Sequence, residues 1–104
     1  MLEDSVVIIY LKEPKERIWG ILRSVSPTGL FVQGIDINSF DQWLNDFYGK
    51  EELIINLSKI FFPMHRVEKI LADEPAGSIP SLSQRFEAKM GKKLTDFFPA
   101  PLKD

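Results

Sequence analysis

Near its start the chain carries an unbroken apolar run, Val6-Val7-Ile8-Ile9-Tyr10-Leu11, rich in β-branched residues and ended by Lys12-Glu13-Pro14. A short continuous run of this kind predicts a strand with both faces largely buried, followed by a turn. Residues 18–25 read as a second strand. Trp19, Ile21, Arg23 and Val25 fall on one face, and Ile18, Gly20, Leu22 and Ser24 on the other. A glycine inside a strand, here Gly20, marks a bend, a bulge or a close approach of backbones. Ser26-Pro27-Thr28-Gly29 places proline and glycine at favoured turn positions. Residues 30–35 therefore return as the second arm of a hairpin.

The period then changes. Phe40, Trp43, Leu44 and Phe47 recur at i, i+3, i+4 and i+7, one face of a helix. Ser39 with Gln42 matches a capping box, and Gly49 is a natural stop. Residues 53–57 and 60–64 are both strand candidates, either as one bent strand or with the first irregular. Pro63 cannot donate to a ladder, which places it at an edge or a strand end. Met64-His65-Arg66 is the tight connection to a last strand over residues 67–71. Ser81 with Gln84 is a second capping box, Gly91 a second stop, and Leu82, Phe86 and Met90 share one side of the helix between them.

The expected fold is mainly β (α+β): a five-stranded small barrel with a helix inserted near 39–48 and a C-terminal helix near 81–90. Closure would remove the edges that an open five-stranded sheet exposes. The barrel and its insertion occupy 1–78, and the helix and tail of 79–104 pack on or beside it. With 104 residues the chain fits one domain.

Three segments resemble the Sm-like (SH3-type) family. Val6–Leu11 resembles its first strand. Ile18-Trp19-Gly20-Ile21-Leu22 is similar to its glycine between apolar residues in strand two. Ile60-Phe61-Phe62-Pro63-Met64-His65-Arg66-Val67 resembles its closing strand, tight turn and strand. The likeness spans residues 6–71 and implies the SH3-type barrel, with ring assembly through strands four and five. Departures accompany it. The family's leading helix has little room before Val6. Its uridine-reading Asp and Asn are replaced by Ser26-Pro27-Thr28-Gly29. The helix near 39–48 is an insertion. Only His65 and Arg66 stand where the family places basic residues, so RNA binding does not follow from the resemblance.

Charge and composition narrow the function classes. The net charge of −2 gives no global support for nonspecific nucleic-acid binding, which phosphate neutralisation drives. The absence of cysteine excludes disulfides, thiolate metal sites and a cysteine nucleophile, and is compatible with a reducing compartment. The acidic start Met1-Leu2-Glu3-Asp4 and the short apolar run after it do not match a secretory signal or a membrane span. A cytoplasmic protein with no membrane partner is expected.

Candidate chemistry is sparse. His65, the single histidine, has no nucleophile in a recognisable pattern around it. Asp36, Asp41 and Asp46 are spaced by five, unlike a cation loop. Lys89, Lys92, Lys93 and Arg85 read as favourable charge toward a helix C-terminus. No glycine-rich phosphate loop occurs. No enzyme activity, metal or cofactor is expected. Aromatic content is instead high, at 12%, and a small barrel cannot enclose all of it. The expectation is a non-enzymatic interaction module, a homo-oligomer or a binder of a protein partner, using Phe40, Trp43, Phe47, Phe97 and Phe98 together with the last strands. The alternative is an Sm-like RNA-binding protein that uses Arg23, His65 and Arg66.

Overall fold

The computed structural model describes residues 3–47 and 57–94, without the side chain of Phe47. Among these residues, five antiparallel strands form one sheet: β1 (Val6–Leu11), β2 (Glu16–Ser26), β3 (Gly29–Asp36), β4 (Ser58–Pro63) and β5 (Val67–Ala72). Their order is β4-β3-β2-β1-β5. The strands fall where the apolar runs predict them, β2 and β3 extending further at both ends. Of residues 53–57, only Leu57 is described, buried just before β4. Two helices follow the predicted periods, α1 (Phe40–Phe47) and α2 (Leu82–Met90).

The sheet is not closed among the described residues, so the expected barrel is borne out only as far as a mainly β, five-stranded antiparallel sheet with two helices. β4 and β5 lie at opposite edges, and no ladder joins them among the described residues. A flat sheet of this width would hold its edge strands about 19 Å apart. The 3-10 turn Met64–Arg66 that links them spans only about 8 Å. The sheet must therefore curl until its two edges converge at that turn.

At Gly20 and Gly34 the backbones of β2 and β3 approach closely. They stand directly opposite each other in the β2–β3 ladder. A Cβ on Gly20 would fall on the Gln33 carbonyl oxygen and 2.6 Å from Gly34 Cα. A Cβ on Gly34 would fall on the Trp19 carbonyl oxygen. Two backbones this close leave no space for side chains, the close approach that glycine in a strand signals.

Strand alternation divides the apolar residues between two cores. Val7, Ile9, Leu11, Ile18, Leu22, Leu30, Val32 and Phe62 fill the inside of the curl. Val6, Ile8 and Ile35 join Trp19 on the outer face, beneath α1 and α2. β1 is thus sandwiched, as its unbroken apolar run predicts. A bulge in β2 between Leu22 and Ser24 shifts the register against β3. It puts Ser24 on the face of Phe31 and Val25 on the face of Leu30. The face assignment read from simple alternation therefore fails for these two residues, because an extra residue inverts the parity beyond it.

Caps separate the two helices. At α2, Gln84 N–H donates to Ser81 Oγ and Ser81 N–H donates to Gln84 Oε1, both at 3.0 Å, and Gly91 closes the helix in the left-handed region at φ 73°. That capping box matches the sequence pattern. At α1 the entry differs: a 3-10 turn, Ile37–Ser39, precedes the helix, and Asp36 Oδ1 accepts from Asn38 N–H at 2.8 Å. Gln42 donates to Asp46 instead of capping backward.

Candidate interaction surface

The outer face of the sheet is covered unevenly. Phe40 and Leu44 of α1 and Phe86 of α2 close over Trp19. Phe40 meets Trp19 edge-on at 5.0 Å, and Trp43 stacks on Phe86 at 5.7 Å. Beyond this layer, toward β4, neither described helix covers the sheet face. Phe31 and Phe61 are directly opposed on β3 and β4, with ring centroids 5.0 Å apart. They are 46% and 42% exposed. Beside them a depression of about 320 Å³ is lined by Arg23, Ser24, Phe31 and Lys59.

Backbone groups along β4 complete this surface. Leu22 turns its N–H and C=O toward the start of β1, bonding Ser5 O and Asp4 N. Alternation then fixes the rest of the sheet. Ile21 faces β3, its partner Gln33 faces β2, and Leu30 and Val32 face β4. Their partners Phe62 and Ile60 face back into the sheet. Lys59 and Phe61 therefore point N–H and C=O away from it, and Pro63 points a carbonyl the same way. Among the described residues β4 pairs only with β3.

The structure does not bring the predicted cations together. Arg23 lies beside the start of β1 and is one-tenth exposed. Its guanidinium binds Asp4 Oδ1 at 2.8 Å and Gln33 Oε1 at 3.0 Å. Arg66 lies at the other end of β1, on the order of 15–20 Å away. It donates to Lys12 O at 3.1 Å, Pro14 O at 2.8 Å and Glu16 Oε1 at 3.1 Å, which pins the β1–β2 turn to the β4–β5 turn. Removing it in Arg66→Ala is expected to cost about 1 kcal/mol of stability, measured by denaturant unfolding, and to leave the sheet intact. His65 is exposed in the same turn and forms no hydrogen bond among the described residues.

Among the predicted contact aromatics, Phe40 is not at the surface. It is 1% exposed, because the apolar stripe of α1 turns onto Trp19. Trp43 is half-buried in the same layer. The side chain of Phe47, and Phe97 and Phe98 entirely, lie outside the described residues. Sequence reasoning passed over Phe31 and included Phe61 only as part of the last strands, although parity carries the signal: Leu30 and Val32 point inward, so Phe31 must point outward, and Ile60 and Phe62 place Phe61 likewise.

Asp73 was also missed. Its carboxylate accepts from Trp19 Nε1 at 2.9 Å, Leu82 N–H at 3.1 Å, Ser83 N–H at 2.8 Å and Ser83 Oγ at 2.6 Å. One side chain thus ties the end of β5 to the outer core and to the first turn of α2, where a carboxylate meets unpaired N–H groups and the positive helix end.

Other features do not converge on a chemical site. A second depression, at the β1–β2 turn, mixes Lys15 and Arg17 with Glu16 and Glu68 and so carries no single sign of charge. Among the described residues no three His, Asp or Glu side chains cluster as metal ligands, and every buried side-chain nitrogen and oxygen has a hydrogen-bond partner. No helix among them is long and apolar enough to cross a membrane. Comparison with protein-family models, with curated proteins and with solved structures finds no match.

Proposed function

We propose that this protein is a non-enzymatic interaction module that self-associates, of SH3-type architecture and acting in the cytoplasm. The observation that carries the functional reading is the exposed Phe31–Phe61 pair beside the outward-facing backbone of β4. An aromatic patch at a sheet edge that no described strand pairs combines the two features that drive protein association, apolar area and outward-facing ladder groups. Curling of the sheet through the three-residue β4–β5 turn supports the architectural reading. The lack of cysteine fits a reducing compartment.

RNA binding through Arg23, His65 and Arg66 gains no support from their placement, since both guanidinium groups are engaged within the chain at opposite ends of β1. The test is solution mass by light scattering across protein concentration, at low and high salt, with and without a pool of random single-stranded RNA. The expected result is a mass that rises with protein concentration, changes little with salt and does not respond to RNA. A mass fixed at the monomer up to several hundred micromolar would overturn self-association. Salt-sensitive retention of RNA would transfer the reading to nucleic acid.

A further inference from the structure

We infer that the partner of the β4 edge is β4 of a second copy, paired antiparallel about a two-fold axis through Phe61. This rests on the self-association reading and adds the strand, the register and the symmetry.

Strand sequence and ladder parity select that register. A two-fold axis perpendicular to the sheet keeps outer side chains outer only if opposed residues have the same parity. With Phe61 opposite Phe61 of the second copy, Ile60 meets Phe62 and Lys59 meets Pro63. The inner face gains an apolar pair that continues the buried core holding Phe62. On the outer face, the aromatic row of Phe31 and Phe61 runs on into its symmetry mate at the roughly 4.8 Å spacing of strands. No charge meets a like charge.

The backbone fits as well. Phe61 exchanges N–H and C=O bonds with its own copy, and each Lys59 N–H meets the Pro63 carbonyl of the other chain. The proline has no N–H to return to the Lys59 carbonyl opposite it, so that carbonyl keeps a water partner at each end of the ladder. The opposite edge is less suited. β5 carries adjacent Glu68 and Lys69, and its pairing with β1 shifts register between Tyr10 and Leu11, both of which blunt an edge.

A six-residue strand with aromatic flanks buries on the order of 1,000 Å² in such a pair, at the low end for specific interfaces. Interfaces of this size are weak or transient ones, so association that depends on protein concentration is expected.

Phe61 is half-exposed and points outward, so replacing it leaves both cores untouched. The test uses sedimentation equilibrium on the full chain with Phe61→Lys, Phe61→Glu and their equimolar mixture. Each variant alone is expected to dimerise at least about 30-fold more weakly than the parent, because like charges meet on the axis, and the mixture is expected to recover a heterodimer. Circular dichroism of each variant confirms that it is folded. Since the chain contains no cysteine, a second readout is available. Phe61→Cys is expected to oxidise to a linked dimer. Lys59→Cys, whose symmetry mate would lie about 13 Å away, is beyond disulfide reach.

A parent that self-associates while Phe61→Lys and Phe61→Glu associate equally well would overturn this inference and leave the self-association reading standing. Equal cross-linking of Lys59→Cys and Phe61→Cys would overturn the register. A parent that stays monomeric would overturn both inference and reading.

Discussion

Gly20→Ala is expected to lower stability by at least about 3 kcal/mol, a shift of roughly 15 °C or more in Tm for a domain of this size. The new methyl group would meet the Gln33 carbonyl and Gly34 Cα, both backbone atoms. No rotamer change relieves such a clash. β2 and β3 would have to separate in the middle of the ladder, between Trp19↔Ile35 and Ile21↔Gln33, and both cores depend on that separation. Gly34→Ala should act similarly, since its methyl would meet the Trp19 carbonyl from the other strand. Gly91→Ala is the control. It replaces a helix-capping glycine at positive φ with open space around it and should cost about 1 kcal/mol. Denaturant unfolding of the three variants separates backbone crowding from conformational preference. A loss below about 1 kcal/mol at Gly20 would contradict the crowding argument.

The second large effect is expected at Asp73. Asp73→Ala removes the acceptor from Trp19 Nε1 and from the Leu82 and Ser83 N–H groups together. The loss combines a helix cap with unsatisfied donors in a partly buried site, about 3 kcal/mol in all. Asp73→Asn keeps one acceptor oxygen and should fall between parent and alanine. Near-ultraviolet circular dichroism should report altered packing around Trp19 in the alanine variant. Unfolding midpoints and slopes equal to those of the parent would show that α2 docks without this carboxylate.

Both residues show how far the chain could be read from its letters. Gly20 was legible as a special position because an uninterrupted strand has no other use for glycine. Its partner Gly34 was not, since pairing between strands is a long-range fact. The capping box of α2 was legible because Ser81 and Gln84 act within one turn. The corresponding pattern at Ser39 and Gln42 was overridden by Asp36, which captures the chain earlier and starts it as a 3-10 turn. Asp73 looked like one more polar residue after the last strand. Its importance comes from Trp19 and Ser83, brought to it by β2 and α2.

The surface followed the same division. Apolar content alone did not distinguish a buried Phe40 from an exposed Phe61. The helical stripe of α1 needed something to lie on, and Trp19 supplied it. Parity along residues 30–35 and 60–64 would have sent Phe31 and Phe61 outward. Whether α1 and α2 covered them depended on where the helices dock. The place of β4 at a sheet edge was likewise hidden by the expectation of a barrel. A three-residue link between β4 and β5 requires the two edges to approach, yet does not require them to pair.

The most direct test of self-association through this edge is amide hydrogen exchange followed residue by residue at increasing protein concentration. The Lys59 and Phe61 N–H groups point away from the sheet, while those of Ile60 and Phe62 point into it. Concentration-dependent protection at Lys59 and Phe61, with Ile60 and Phe62 protected throughout, is the predicted result. Fast exchange at Lys59 and Phe61 at every concentration would contradict it.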